Sequence, residues 1–344
     1  MRWFLGLVLV IALITGVLYG VGRFLLSNNL EVTRTISIDR PRAAVFAMVN
    51  DLRIAREWSP FYVRDPDADY SFSGDPGEGQ NMRWVSNVRE VGRGRMSIVS
   101  STMNEEVQAI LELGDRATLN SSLSLRPGDR ATSVTWTMTA QCGAGAINVP
   151  CRYMNLIMSR QVGQELDGGL QYLKMLTERL PNVDFEGLDM AIDAIEPQNF
   201  VYVTVETSAT SGEEILNAER LGLQQVRDFM ALYNLTPSGP LVRVVTLYDQ
   251  PGNRYHFRVG YPFTGAVPIS VVGVQIGQTP SGQAMHVMFE GNVGRQRDAV
   301  YAQMDAYLQA HRIPRREGGQ PWEVVHRPPD ADGTAQLEIF FPLQ

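Results

Sequence analysis

Two carboxylates near the end of the chain are the residues best placed to do chemistry: Glu323 in "PWEVVHRP" and Glu338 in "AQLEIFFPLQ". Each lies in a strand-like run beside rings, Trp322 in the first and Phe340 in the second. A strand sends alternate side chains to opposite faces, so each glutamate points either to water or into apolar surroundings. A buried carboxylate is costly unless paired, and a cationic ligand held by neighbouring rings would supply that pairing. Two facing carboxylates would also allow general acid and base catalysis on a small lipophilic substrate, as a hydrolase or cyclase requires. Tyr255, Phe257 and Tyr261 are candidate lining residues in the same half, and Trp58, Trp84 and Trp136 in the other half. For every one of these rings, ordinary core packing is the competing reading.

Other chemistries lack their residues. His256, His286, His311 and His326 have no metal-ligand spacing, and no G-x-S-x-G elbow occurs. The glycines of "SGDPGEGQ" precede another strand-like run rather than a helix, so they read as turns and not as a phosphate cradle. Cys142 and Cys151 lack a C-x-x-C partner; they either pair across "GAGAINVP" or stay as two buried thiols. No metal, cofactor or catalytic residue is expected. The net charge of -7 over 344 residues, without a long basic tract, argues against a nucleic-acid partner.

The elements that must position these residues begin with an apolar run. Residues 3–22, "WFLGLVLVIALITGVLYGVG", carry no charge over 20 positions, enough at about 1.5 Å per residue to cross a bilayer core of about 30 Å. The run exceeds a typical signal-peptide core and lacks an A-x-A-like site, so it reads as a single-pass anchor with a tether to residue 30. Arg2 faces Arg23 and Arg34 across it, a nearly balanced count; the short N-terminal flank favours an exported, periplasmic body, with a cytoplasmic one the alternative.

Residues 31–180 read as a strand (31–39), a short helix capped by Asp39 with Pro41 in its first turn, and strands near 69–74, 80–87, 93–101, 105–113, 116–126 and 131–140. A terminal helix over 151–180 follows, with Met154, Ile157, Met158, Val162, Leu166, Leu170, Leu173 and Leu176 at helical spacing, weakened at Gly163 and Gly168-Gly169. The order of "NDLRIAREWSPFYVRDPDADYSFSG", "GEGQNMRWVSNVREVGRGRMSI", "SVTWTM" and "GGLQYLKMLTE" resembles the SRPBCC superfamily of START-type, polyketide-cyclase-like helix-grip domains. That resemblance implies an antiparallel sheet gripping a long helix, an α+β fold, with a cavity for a hydrophobic small molecule between them.

Residues 181–198 are acidic and read as a linker. Beyond them the pattern strand, helix, strand, strand occurs twice over 199–344, with "YPF" at 261–263 answering "FPL" at 341–343. With "PWEVVHRPPD" and "LEIFFPL", this half resembles the GyrI-like effector-binding domain, a duplicated β-α-β-β fold. The resemblance implies a groove with aromatic walls and acidic groups on the last two strands, at Glu323 and Glu338; Val325 departs from the aromatic residue often found two positions after the first acid. Together the two resemblances imply a membrane-anchored binder of hydrophobic or amphipathic small molecules with one cavity per soluble domain, the alternatives being the acid-base enzyme and lipid or metabolite transfer at the membrane surface.

Overall fold

The computed structural model describes residues 2–114, 117–128, 131–143, 148–208, 212–249, 251–266 and 273–344. Residue 116 of the expected strand 116–126 and residues 144–147 of the loop between the cysteines lie outside the described residues. The chain forms two compact units, Met1–Asp184 and Phe185–Gln344.

The first unit opens with α1 (Arg2–Phe24), whose stretch Gly6–Phe24 is long and apolar enough to cross a membrane and is almost unburied. Then come β1 (Asn29–Ile38), α2 (Arg42–Asn50), α3 (Leu52–Ala55), a 3-10 turn at Arg56–Trp58, and α4 (Pro60–Arg64). Six strands follow: β2 (Asp69–Ser73), β3 (Asn81–Val85), β4 (Arg93–Thr102), β5 (Glu106–Leu113), β6 (Ala117–Pro127) and β7 (Thr132–Gln141). The unit closes with α5 (Val149–Thr177). The strands form one antiparallel sheet in the order β1-β7-β6-β5-β4-β3-β2. Consecutive strands from β2 to β7 therefore pair with their neighbours, and β1 closes the far edge on β7.

Two local expectations are corrected. Asp39 does not cap α2: the helix starts at Arg42 behind Pro41 without a side-chain cap, and the Asp39 backbone N–H donates to Glu178 Oε1 at 2.9 Å. The glycines of α5 do not interrupt it, because two of them serve close approach. A Cβ on Gly169 would lie 2.7 Å from the Trp136 ring, and one on Gly163 would collide with the Arg34 guanidinium. The apolar stripe of α5 is also buried over only half its length. Leu166, Leu170 and Leu173 are fully packed, whereas Met154 and Ile157 are exposed. The first half of α5 thus overhangs the sheet instead of sealing against it. Cys142, just past β7, and Cys151, in the first turn of α5, form a disulfide that ties the two elements together.

The second unit contains β8 (Met190–Ile195), β9 (Asn199–Thr207), α6 (Gly212–Leu232), β10 (Thr236–Pro237), β11 (Leu241–Asp249), β12 (Arg254–Thr264), β13 (Gln275–Gln278), β14 (Gly282–Asn292), α7 (Val293–Ala310), β15 (Trp322–Arg327) and β16 (Thr334–Pro342). The expected linker is partly structured: β8 pairs antiparallel with β14, so residues 190–195 are an edge strand of this unit. Its run M-A-I-D-A-I lacks the period-two alternation that marks a strand, and most of its side chains stay in solvent, as at a sheet edge. The sheet order is β13-β9-β12-β11-β15-β16-β14-β8, with β10 against β12. The strand-helix-strand-strand runs β9-α6-β11-β12 and β14-α7-β15-β16 meet where β11 pairs antiparallel with β15. One face carries the main core, including Val203, Phe257, Val259, Ile339 and Phe341 with Val226 and Phe229 of α6 and Met304 and Leu308 of α7. The other carries a smaller cluster of Phe200, Val242, Val244, Ala284, Trp322 and Phe340.

Two substitutions separate the roles of adjacent glycines in α5. Gly168 has open space where a Cβ would go, so Gly168→Ala should raise stability by about 0.5–1 kcal/mol through helix propensity; Gly169→Ala should lower it, because the buried Trp136 ring must move. Thermal unfolding of the two variants checks the opposite signs. Replacing Cys142 and Cys151 by serine together should cost about 2–3 kcal/mol in urea unfolding, the chain-entropy value for so short a loop.

Candidate functional site: an apolar cavity in the first unit

The overhanging half of α5 roofs a cavity of about 570 Å³ floored by strands β3 to β7 and walled by the segment from α3 to α4. The strand residues reach it by alternation. On β5, Val107, Ala109 and Leu111 point inward, and on β6, Leu119, Ser121 and Leu123. All three tryptophans expected from the sequence line it. Trp58 and Trp136 meet edge to face at 5.4 Å, and Trp84 stacks on Phe61 at 5.2 Å. The Trp58 indole donates to the Met48 carbonyl and the Trp136 indole to Ser121 Oγ, each at 2.9 Å. The indole N–H of Trp84 is buried and has no partner among the described residues.

Met82, Met96, Met138, Met154 and Met158 all line the cavity, though sequence reasoning singled out only Met154 and Met158, and those as part of the apolar stripe of α5. A thioether is flexible and polarizable, so these side chains give the wall an adaptable surface. Polar lining groups are few, and the buried one among those named, Ser121, is already engaged by the Trp136 indole. Arg64 and Glu165 form an ion pair, and Asn155 and Gln161 come from α5. Cys151, also in the lining, is held in the disulfide. This wall is built to bury apolar surface.

In the second unit the register decides what the two glutamates can do. Glu323 is opposite Ile339 and Val324 is opposite Glu338, so the carboxylates leave adjacent strands on opposite faces of the sheet. They cannot act as an acid-base pair on one substrate, which removes that enzymatic reading. Glu323 lies on the helix-covered face at 1% exposure. Its counter-charge is internal. Arg243, directly opposite it on β11, donates to it at 2.5 Å and makes bidentate bonds to Glu219 of α6 at 2.8 and 2.6 Å. Arg297 of α7 lies 3.6 Å from Glu323, and Tyr301 donates to it at 3.0 Å. Two carboxylates face two guanidinium groups, so no ligand cation is needed there. Arg243 and Glu323 stand 80 residues apart, the spacing of the sequence repeat, so the two halves carry opposite charges at one position.

Burial alone would raise the Glu323 carboxyl, but the Arg243 and Arg297 charges and the hydrogen bonds from Tyr301 and Arg243 outweigh it and hold the pKa below its ordinary value. Tyr255, buried beside the cluster, is pushed up to about 12, first by desolvation. Tyr255 and Phe257 are core residues on this face and Tyr261 packs against the same core, so none of the three shares a face with Glu338. Trp322 and Phe340 do share it, stacked at 4.8 Å and nearly parallel. There Glu338 is one-fifth exposed and contacts His286 Nδ1 at 2.8 Å and His326 Nε2 at 3.2 Å.

Residues 29–178 match the family described as polyketide cyclase / dehydrase and lipid transport. The match falls within the first unit and agrees with its antiparallel sheet and terminal helix, the helix-grip arrangement. No curated protein matches the sequence. Similar solved structures include CalU16 from Micromonospora echinospora, 14% identical, covering 42% of this chain and 73% of that one at a TM-score of 0.31. A protein from Arthrobacter aurescens is 11% identical over 44% of this chain and 88% of its own, with a TM-score of 0.34. A hydrolase from Listeria innocua is 11% identical over 46% and 95%, with a TM-score of 0.33. At these scores the three likenesses carry no argument about chemistry.

Neutralising one member of the buried cluster exposes what it does. Glu323→Gln leaves guanidinium charge uncompensated in the core and should cost about 3–5 kcal/mol at pH 7. Because the folded pKa is depressed, the stabilisation is complete above the ordinary carboxyl value of 4.5 and is lost as pH falls through the folded value. The difference between wild type and variant should therefore shrink on acidification, which urea unfolding at pH 7 and below pH 4 would measure. Equal stability at pH 7 would contradict the structural role.

Proposed function

We propose that the protein is a membrane-anchored binder of hydrophobic small molecules, with its principal site in the first unit. The observation that carries this reading is the apolar cavity of about 570 Å³, inside a segment that matches a family of cyclases and lipid-transport proteins. That volume falls in the range of about 300–1,000 Å³ that encloses most of a small ligand. A molecule burying about 300 Å² of apolar surface gains roughly 7 kcal/mol before the cost of immobilisation, enough for useful affinity without ionic contacts. The unpartnered Trp84 N–H favours a ligand carrying one hydrogen-bond acceptor.

In the same reading α1 holds the units at a bilayer, supported by its length, its apolar composition and its exposure. The disulfide supports an extracytoplasmic body, since such bonds persist in oxidising compartments. The second unit, read as GyrI-like from its repeated strand-helix-strand-strand order, contributes a second recognition surface. Its supporting groups are the Trp322 and Phe340 stack with Glu338 beside it, while Glu323 serves the fold.

Energy transfer from tryptophan to cis-parinaric acid tests the principal site, because Trp58, Trp84 and Trp136 form its wall. With the full chain in nanodiscs, wild type should show saturable transfer. Ala109→Phe, which places a ring in the cavity, should weaken binding at least tenfold without lowering the melting temperature. Equal transfer in both proteins would contradict a ligand in this cavity.

A further inference from the structure

The cavity reaches the end of the first unit from which α1 departs. In the sheet, Asn29 of β1 stands opposite Gln141 of β7, Asn120 of β6 opposite Thr139, and Leu113 of β5 opposite Ala117 of β6. The start of β1, the end of β7, the end of β5 and the start of β6 are therefore at one end. Leu30, Leu113, Ala117, Thr118, Ala140 and Gln141 all line the cavity there, and Ala117, Thr118 and Gln141 are exposed. Met154 of α5 also lines it while being 56% exposed, so this end is open. A second depression of about 170 Å³, formed by the tether after α1 and the start of α5, shares Leu30 and Asn155 with the cavity.

The same end is locked to α1. Arg152, buried in the first turn of α5, donates through Nη1 to the carbonyl of Arg23 at 2.8 Å, an acceptor that the end of α1 leaves free, and to that of Leu26 in the tether at 3.1 Å. Tyr153 Oη donates to the Leu18 carbonyl at 2.8 Å. Leu18 lies inside the apolar stretch Gly6–Phe24, and the six residues from it to the end of that stretch rise about 9 Å. A helix that fills the bilayer core with this stretch must bring the first turns of α5 down to the membrane boundary. Those turns suit it: Met154, Leu156 and Ile157 are exposed at 56%, 60% and 69%, and residues 153–159 carry no charge. Exposed apolar side chains contiguous with a span have a bilayer as their natural cover.

We propose that the start of α5 docks into the outer layer of the same bilayer that α1 crosses, and that the cavity opens there, so that its ligand passes between membrane and protein without crossing water. This rests on the cavity-binding reading above and adds to it the source of the ligand, a lipid bilayer, and the route. A hydrophobe that partitions into membranes is scarce in water, so a mouth at the lipid boundary raises its local concentration where the cavity is open.

Two readouts on the full chain in phosphatidylcholine proteoliposomes test the proposal. A spin label at Ile157→Cys should be reached by oxygen and shielded from a water-soluble nickel chelate, while one at Tyr172→Cys, farther along α5, should show the reverse. The native cysteines are bonded to each other and take no label. A label at 157 as accessible to nickel as the one at 172 overturns the docking. In the second readout, cis-parinaric acid is added from a second set of vesicles. Leu156→Asp with Ile157→Asp should slow filling of the cavity at least tenfold and leave equilibrium binding unchanged, whereas filling at the wild-type rate overturns the route. Absence of probe binding in wild type would overturn the binding reading and the route, with the label still deciding whether α5 docks.

Discussion

The contact between the Trp136 ring and Gly169 sets the distance between α5 and the sheet, and the cavity depends on that distance. The ring is fixed from below by its bond to Ser121 and from the side by Trp58, so it cannot retreat. A glycine above it lets the helix come down on the ring, and Leu166, Leu170 and Leu173 complete the seal. One end of the helix is then pinned to the sheet while the other is held by the disulfide and the α1 contacts. Between those supports the sheet falls away from the helix, and the volume that neither fills is the cavity.

The second unit solves a different problem. Its two strand-helix-strand-strand runs meet at β11 and β15, and a charged residue from each stands at the meeting point. Two like charges there would repel; Arg243 opposite Glu323, with Glu219 and Arg297 supplied by the two helices, makes the join neutral and registers it. An ion cluster of this kind contributes little net stability relative to apolar packing, yet breaking it leaves a buried charge uncompensated and is expensive.

Much of this was legible in the sequence. The strands of the first sheet and the strand-helix-strand-strand order of the second follow from alternation and turn residues, because period-two patterns are strong where one face is buried. The three tryptophans could be singled out as wall residues, but the methionines beside them could not, since in sequence a lining methionine and a core methionine look alike. Glu323 and Glu338 were recognisable as unusual, while their opposite faces were not: that depends on the pairing of β15 with β16, a one-residue matter of register. Arg243 escaped notice because its role is visible only once β11 is placed beside β15. Strand β8 was hidden because M-A-I-D-A-I does not alternate and sits within an acidic stretch. The half-buried stripe of α5 shows the limit of periodicity, which identifies a helix face without saying how much of it finds a partner.

Mass spectrometry of compounds retained by the full-length protein, purified from its own membranes without added lipid, tests the central claim most directly. The expected result is an apolar compound, near one per chain, that is lost when Ala109→Phe reduces the cavity while the rest of the protein stays folded. A wild-type protein that carries no compound above the level of this variant would contradict a cavity built to hold one.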